Sequence, residues 1–138
     1  MQRKASCSCG QLSILVKGEP NVVVACNCLE CQKRTGSVFG VSSYFDDDQV
    51  LEKTGASSTF ERYSEAGRRL KSHFCSSCGS TVYWKAEVLE NQTGIAVGCF
   101  ADPEFPEPKL VAWNASRHGW VGFPGHCMSS VTQDFEAP

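Results

Sequence analysis

Short runs of alternating or continuous apolar residues, each ending in glycine or polar turns, set the pattern of this chain. Leu12, Ile14 and Val16 alternate with Gln11 and Ser13, whereas Val22 to Ala25 is apolar throughout and leads into Cys26. Read by period and by β-branched content, the sequence predicts strands at 11–16, 22–26, 38–45, 58–63, 70–74, 81–85 and 94–99. The last of these places Cys99 as a buried thiol among Ile95, Ala96 and Val97. No long helix-period run occurs, and one short turn of helix is predicted over 29–34. The fold class is therefore mainly β.

From Ala101 the pattern changes. Pro103, Pro106 and Pro108 break it, and the stretch from Trp113 to Trp120 is expected to lie across the sheet, with Trp113, Trp120 and Phe123 serving as packing residues. Residues 121–138 read as an irregular tail. With 138 residues, no repeat and no linker, the expectation is one domain spanning 1–138.

Charge excludes some functions. A formal net charge of −2 gives no concentrated basic surface for nucleic acid, so none is expected as a partner. The run Asp46-Asp47-Asp48 reads as a solvated turn, with contact to a cation or a basic partner as the alternative. No segment has the roughly 18 continuous apolar residues of a membrane span. Polar Cys7-Ser8-Cys9-Gly10 stands where a signal peptide would turn apolar, so a cytoplasmic, membrane-free protein is expected.

The nine cysteines carry the chemistry. They fall as Cys7-x-Cys9, Cys26-x-Cys28-x-x-Cys31 and Cys75-x-x-Cys78, with Cys99 and Cys127 apart. An odd total in a chain of this kind argues against a disulfide framework, and Cys-x-Cys is a strained disulfide but a good metal chelate. Gly10 and Gly79 close two of the clusters with the residue that best takes positive φ in a knuckle turn. Two such knuckles make one four-thiolate tetrahedron and leave Cys26, Cys28 and Cys31 as a separate set of three. Spacing alone leaves other arrangements open: a single structural zinc with the remaining cysteines buried, or iron in place of zinc. Cys127 can be an exposed thiol, a fourth ligand of the three-cysteine site, or a site of oxidation.

A four-thiolate zinc is coordinatively full and acts as a staple, whereas a three-thiolate zinc keeps a position for an exchangeable ligand. Three thiolates make the ion a weak Lewis acid, which disfavours water activation and favours a soft ligand such as a substrate thiol. Lys33, Arg34 and Thr35 follow Cys31 and are candidate contacts for an anionic thiol, or else solvated residues that offset thiolate charge. Arg117 and His118 are further candidate contacts, although His118, His73 and His126 also read as ordinary, partly exposed histidines.

With Cys7-Ser8-Cys9-Gly10, Cys26-Asn27-Cys28-x-x-Cys31-x-x-x-Thr35-Gly36 and Phe74-Cys75-x-x-Cys78-Gly79 in this order, the chain resembles the glutathione-dependent formaldehyde-activating family, which shares its domain with centromere protein V. The resemblance spans about 7–120, and its specificity lies in the joint occurrence of three ordered motifs. It implies a β-tent fold of short antiparallel strands stapled by zinc. It also implies two zinc ions per chain, a structural one on Cys7, Cys9, Cys75 and Cys78 and a catalytic one on Cys26, Cys28 and Cys31. The implied activity is that of a carbon–sulfur lyase joining glutathione and formaldehyde to S-hydroxymethylglutathione. The centromere-protein branch implies the alternative of a zinc-stapled protein-interaction module without catalysis. Ser8, Asn27 and Gln32 depart from the histidines and arginine often found at these places, and Gln32 removes a cation from the neighbourhood of the thiol.

Overall fold

The computed structural model describes residues 1–64 and 67–132. Its strands are β1 (Gln2–Ser6), β2 (Ser13–Lys17), β3 (Val22–Cys26), β4 (Gly40–Asp46), β5 (Val50–Thr54), β6 (Ser57–Tyr63), β7 (Arg69–Cys75), β8 (Thr81–Ala86), β9 (Gln92–Ala96), β10 (Leu110–Ala112) and β11 (Met128–Ser129), with one helix, α1 (Leu29–Thr35), among the described residues. The mainly β class expected from the sequence is the class observed. The chain divides into two compact units, one of Met1–Asn21 with Ser43–Phe105, the other of Val22–Ser42 with Pro106–Pro138. No described helix is long and apolar enough to cross a membrane.

In the first unit, β1, β2 and β5 form an antiparallel sheet. β2 turns Ile14 and Val16 inward, both fully buried, while β1 buries only Ala5. That sparse pattern hid β1 in the sequence: Gln2, Arg3 and Lys4 are held by the ladder to β2, and Arg3 lays its guanidinium 5.1 Å from the Phe105 ring centroid. A second set runs in the order β9, β8, β7, β6. β6 and β7 pair through seven positions, and β8 buries Val82, Tyr83 and Trp84 in succession. Trp84 lies opposite Gly94, where any Cβ would meet the indole ring.

One expectation needs correction here. Cys99 does not sit in a strand: β9 ends at Ala96, Val97–Phe100 is a 3₁₀ turn, and the thiol is half-buried, donating to the Thr81 carbonyl at 3.5 Å. The acidic run is the exposed turn expected, capped over Asp47–Gln49, and within it Asp47 also makes side-chain contacts. It accepts from Lys85 Nζ at 2.6 Å and from Thr93 Oγ1 at 2.8 Å.

In the second unit, β10 pairs parallel to β3, setting Ala112 beside Cys26, and β11 pairs parallel to β10. β10 thus joins the sheet just ahead of the stretch expected to cross it, and the chain is led into that stretch from a strand. It then turns through Trp113, at φ 60, into a 3₁₀ turn over Asn114–Ser116. Trp113 is half-buried and Phe123 packs edge-on against Phe39 at 5.1 Å, but Trp120 is 76% exposed and is not a packing residue. In the tail, residues 133–138 lie outside the described residues.

Candidate metal centres

The first unit brings Cys7, Cys9, Cys75 and Cys78 together, all four sulfurs lying within 4.8 Å of one another. Each pair comes from a turn between antiparallel strands. The Gly10 N–H donates to the Cys7 carbonyl at 3.0 Å and the Gly79 N–H to the Cys75 carbonyl at 2.8 Å, and both glycines take positive φ, 83° and 81°. A side chain at either place would pay the left-handed penalty in the turn that aims the sulfurs. The knuckles are also joined to each other, because the Ser8 N–H donates to Ser80 Oγ, which donates in turn to Ser8 Oγ, both at 3.2 Å.

The donor set fits a thiophilic ion. Sulfurs about 2.3 Å from a tetrahedral centre stand about 3.8 Å apart, and Cys7–Cys9 and Cys9–Cys75 are each separated by 3.6 Å. N–H groups point at the sulfurs as they do at thiolates: Leu12 N to Cys7 at 3.2 Å, Ser77 N to Cys75 at 3.4 Å and Gln11 Nε2 to Cys75 at 3.3 Å. The Gln11 amide, with backbone N–H groups of Cys78 and Ser77, brings the Cys75 thiol down to about 7. Ser80, through side chain and backbone, brings Cys78 down to about 5. Cys9 rises to about 11: the Gln11 N–H works to lower it, but hydrogen bonds with Cys75 and Cys7 outweigh that.

The second unit gathers Cys26, Cys28 and Cys31, again within 4.8 Å. Cys26 ends β3. Cys28 is the N-cap of α1, in extended conformation, its sulfur accepting from the Cys31 N–H at 3.3 Å as a serine or aspartate oxygen would. Cys31 follows in the first turn. Glu30 near the start of α1 and Lys33 and Arg34 near its end suit the helix dipole, and Gly36 stops it in the left-handed conformation. Clustered thiols hold their protons tightly, so Cys26 and Cys31 are both raised. For Cys26 the causes are hydrogen bonds with Cys28 and Cys31 and then burial. For Cys31 a hydrogen bond with Cys26 pulls downward, and Cys28 and burial prevail. A cation would replace those protons. Among the described residues no fourth histidine, cysteine or carboxylate joins this cluster, and Cys127 instead donates its thiol proton to the Pro108 carbonyl at 3.2 Å.

The residues after Cys31 have separate placements. Lys33 is exposed and pairs with Glu30 at 3.8 Å. Arg34 is half-buried over Gly40, and its charge favours the Cys31 thiolate. Thr35 Oγ1 donates to the Cys31 carbonyl at 2.9 Å and accepts from the Ser37 N–H at 3.0 Å.

Gln32 and Asn27 emerge only in three dimensions. Gln32 Nε2 donates to the Asn27 carbonyl at 2.9 Å and to the Ser116 carbonyl at 3.1 Å, while its Oε1 stands 3.3 Å from His118 Nε2. Ser116 Oγ donates to the same Asn27 carbonyl at 3.0 Å. Asn27, fully buried between two of the cysteines, donates from Nδ2 to the Ala112 carbonyl at 3.1 Å, and its Oδ1 has no partner among the described residues. Apart from the five-residue link from Gln32 to Asn27, each of these bonds spans about 85 residues, so nothing in the local sequence signals them.

A sequence model of the family described as glutathione-dependent formaldehyde-activating enzyme matches residues 2–116. The chain belongs to this family. No curated protein matches it. Among solved structures, a Rhodobacter sphaeroides protein determined as a structural-genomics target is similar in fold, with a TM-score of 0.57 and 19% identity, covering 72% of this chain and 91% of its own. As a glutathione-dependent formaldehyde-activating family member, the chain carries two cysteine clusters, each suited to a metal ion.

Proposed function

We propose that the protein is a carbon–sulfur lyase with two zinc ions, joining a thiol to a small aldehyde and running the reverse cleavage. Glutathione and formaldehyde are the pair named by the family description. The observation that supports this most is the three-cysteine cluster, a donor set that leaves a fourth tetrahedral direction for an exchangeable ligand. The four-cysteine cluster is then a closed, structural site and the domain a single zinc-stapled one in a cytoplasmic setting.

When bound at Cys26, Cys28 and Cys31, zinc would supply the positive charge that keeps a substrate thiol deprotonated near neutral pH. The three cysteines set the softness of the site, so that sulfur is favoured over water as the exchangeable ligand. Capping by the Cys31 N–H steadies Cys28, and Arg34 offsets the negative charge gathered at Cys31. In the forward reaction the substrate sulfur attacks the aldehyde carbon. A C–S bond forms, the C=O π pair moves to oxygen, and that oxygen takes a proton from solvent. Lys33 and Arg34 are proposed to meet the substrate's carboxylates, with Thr35 holding the end of the helix that carries them.

Exchange NMR of carbon-13 formaldehyde with glutathione tests this. Zinc-loaded protein should accelerate adduct formation and breakdown above the spontaneous rates, and Cys28→Ser should abolish the gain. Exchange at the spontaneous rate with intact protein would remove this substrate pair.

A further inference from the structure

The loop after β10 borders two features at once. On one side Ser116 and Gln32 tie it to Asn27, between Cys26 and Cys28. On the other, Asn114 and Arg117 line a cleft of about 210 Å³ together with Val111, Phe123, Cys127 and Ser129. Among the described residues no acidic side chain lines this cleft. One Arg117 nitrogen, Nη1, donates to the Val121 carbonyl at 3.0 Å, which fixes the guanidinium and leaves its other N–H groups without a partner among the described residues. Asn114 and Ser129 add a side-chain amide and a hydroxyl to the lining. Val111, 2% exposed, and Phe123, held edge-on by Phe39, give the cleft an apolar wall.

We infer that this cleft is a carboxylate subsite: Arg117, with Asn114 and Ser129, binds a carboxylate of the thiol substrate several bonds from its sulfur. This rests on the reading of the three-cysteine cluster as the place where the thiol sulfur binds. A fixed guanidinium beside neutral donors is the arrangement that takes a carboxylate with geometric selectivity, which a lysine offers only as a point charge. The apolar wall suits the aliphatic stem of a peptide-like thiol. The site therefore selects elongated, anionic thiols over small ones such as 2-mercaptoethanol.

Calorimetric titration of the zinc-loaded full chain with S-methylglutathione tests the subsite without turnover, because the thioether cannot form an aldehyde adduct. Arg117→Ala should weaken binding by about tenfold or more, the loss typical of one charge-assisted contact, with Arg117→Lys intermediate and Lys33→Ala smaller in effect. The diethyl ester of S-methylglutathione should bind the intact protein more weakly and be insensitive to Arg117→Ala, which separates a lost contact from a disturbed loop. No binding of S-methylglutathione to the intact protein, or an equal Arg117→Ala penalty for acid and ester, would overturn the subsite. Charge-dependent binding without aldehyde exchange would uphold the subsite while removing the proposed reaction.

Discussion

Gln32 Nε2 lies 3.1 Å from the carbonyl oxygen of Ser116, so the residue after the third cysteine of the cluster anchors the loop that leads to Arg117 and His118. An arginine at this position would bring a charge, whereas Gln32 donates to two carbonyls and offers an acceptor to His118. Gln32→Ala removes these bonds and leaves the Asn27 carbonyl with one side-chain donor fewer. We expect a loss of about 1–3 kcal/mol in stability by denaturant unfolding, and a larger rise in KM than fall in kcat in the exchange assay.

The two clusters should respond differently to cysteine loss. Cys75→Ser takes a fully buried sulfur from the four-cysteine cluster, and a structural zinc of the kind proposed there supplies on the order of 10 kcal/mol of folding free energy. Cooperative thermal unfolding should vanish. Cys28→Ser should retain a cooperative transition, lose one metal per chain by elemental analysis, and lose activity. Equal unfolding by both substitutions would refute the division into a staple and a working site.

Legibility in the sequence followed the range of the interactions. Val22–Cys26 was predicted with its observed limits because an apolar run between turn residues reports its own burial. The helix over Leu29–Thr35 is legible one residue short, as a short turn between Cys28 and Gly36, and the charges that suit its dipole are seen in the structure. β1 and β5 were not visible. Gln2 and Lys4, like Glu52, Lys53 and Thr54, are exposed and Arg3 is a charged residue laid on Phe105, so their place is set by backbone pairing to β2 rather than by an apolar pattern. β10 was hidden for another reason, being three residues long and paired to β3 more than 80 residues away. At the clusters, cysteine spacing grouped the same sulfurs that the structure brings together. The hydrogen bonds from Gln11 and Ser80 that tune them depend on where the knuckles meet, and spacing says nothing about that.

Asp47 gives the fold an acid-sensitive contact. Burial alone would raise its carboxyl, but hydrogen bonds from Lys85 and Thr93 and the Lys85 charge bring it below the ordinary value of 3.8. A depressed folded-state value means that the contribution is complete above that ordinary value and is lost as pH falls through the lower one. Unfolding midpoints measured between pH 6 and pH 2.5 should therefore fall less steeply in Asp47→Asn than in the unaltered protein.

Gly94→Ala should be costly, because its methyl would be driven into the Trp84 indole across the β8–β9 ladder. The indole is 3% exposed and has little room to move. Overpacking of this kind costs about 1–3 kcal/mol, readable as a lower unfolding midpoint with a shifted tryptophan emission.

The central claim is that the cluster of Cys26, Cys28 and Cys31 keeps one position for a substrate thiol. X-ray absorption at the zinc edge, on protein carrying zinc at both clusters, reads this directly as the mean number of sulfur ligands per metal. Before addition the expected mean is 3.5, from four sulfurs at one site and three at the other. Saturating glutathione should raise it to about 4, the full tetrahedral complement. A count of 4 before glutathione, or one that glutathione leaves unchanged, would mean that the second site takes no substrate sulfur, and the proposed chemistry would fall with it.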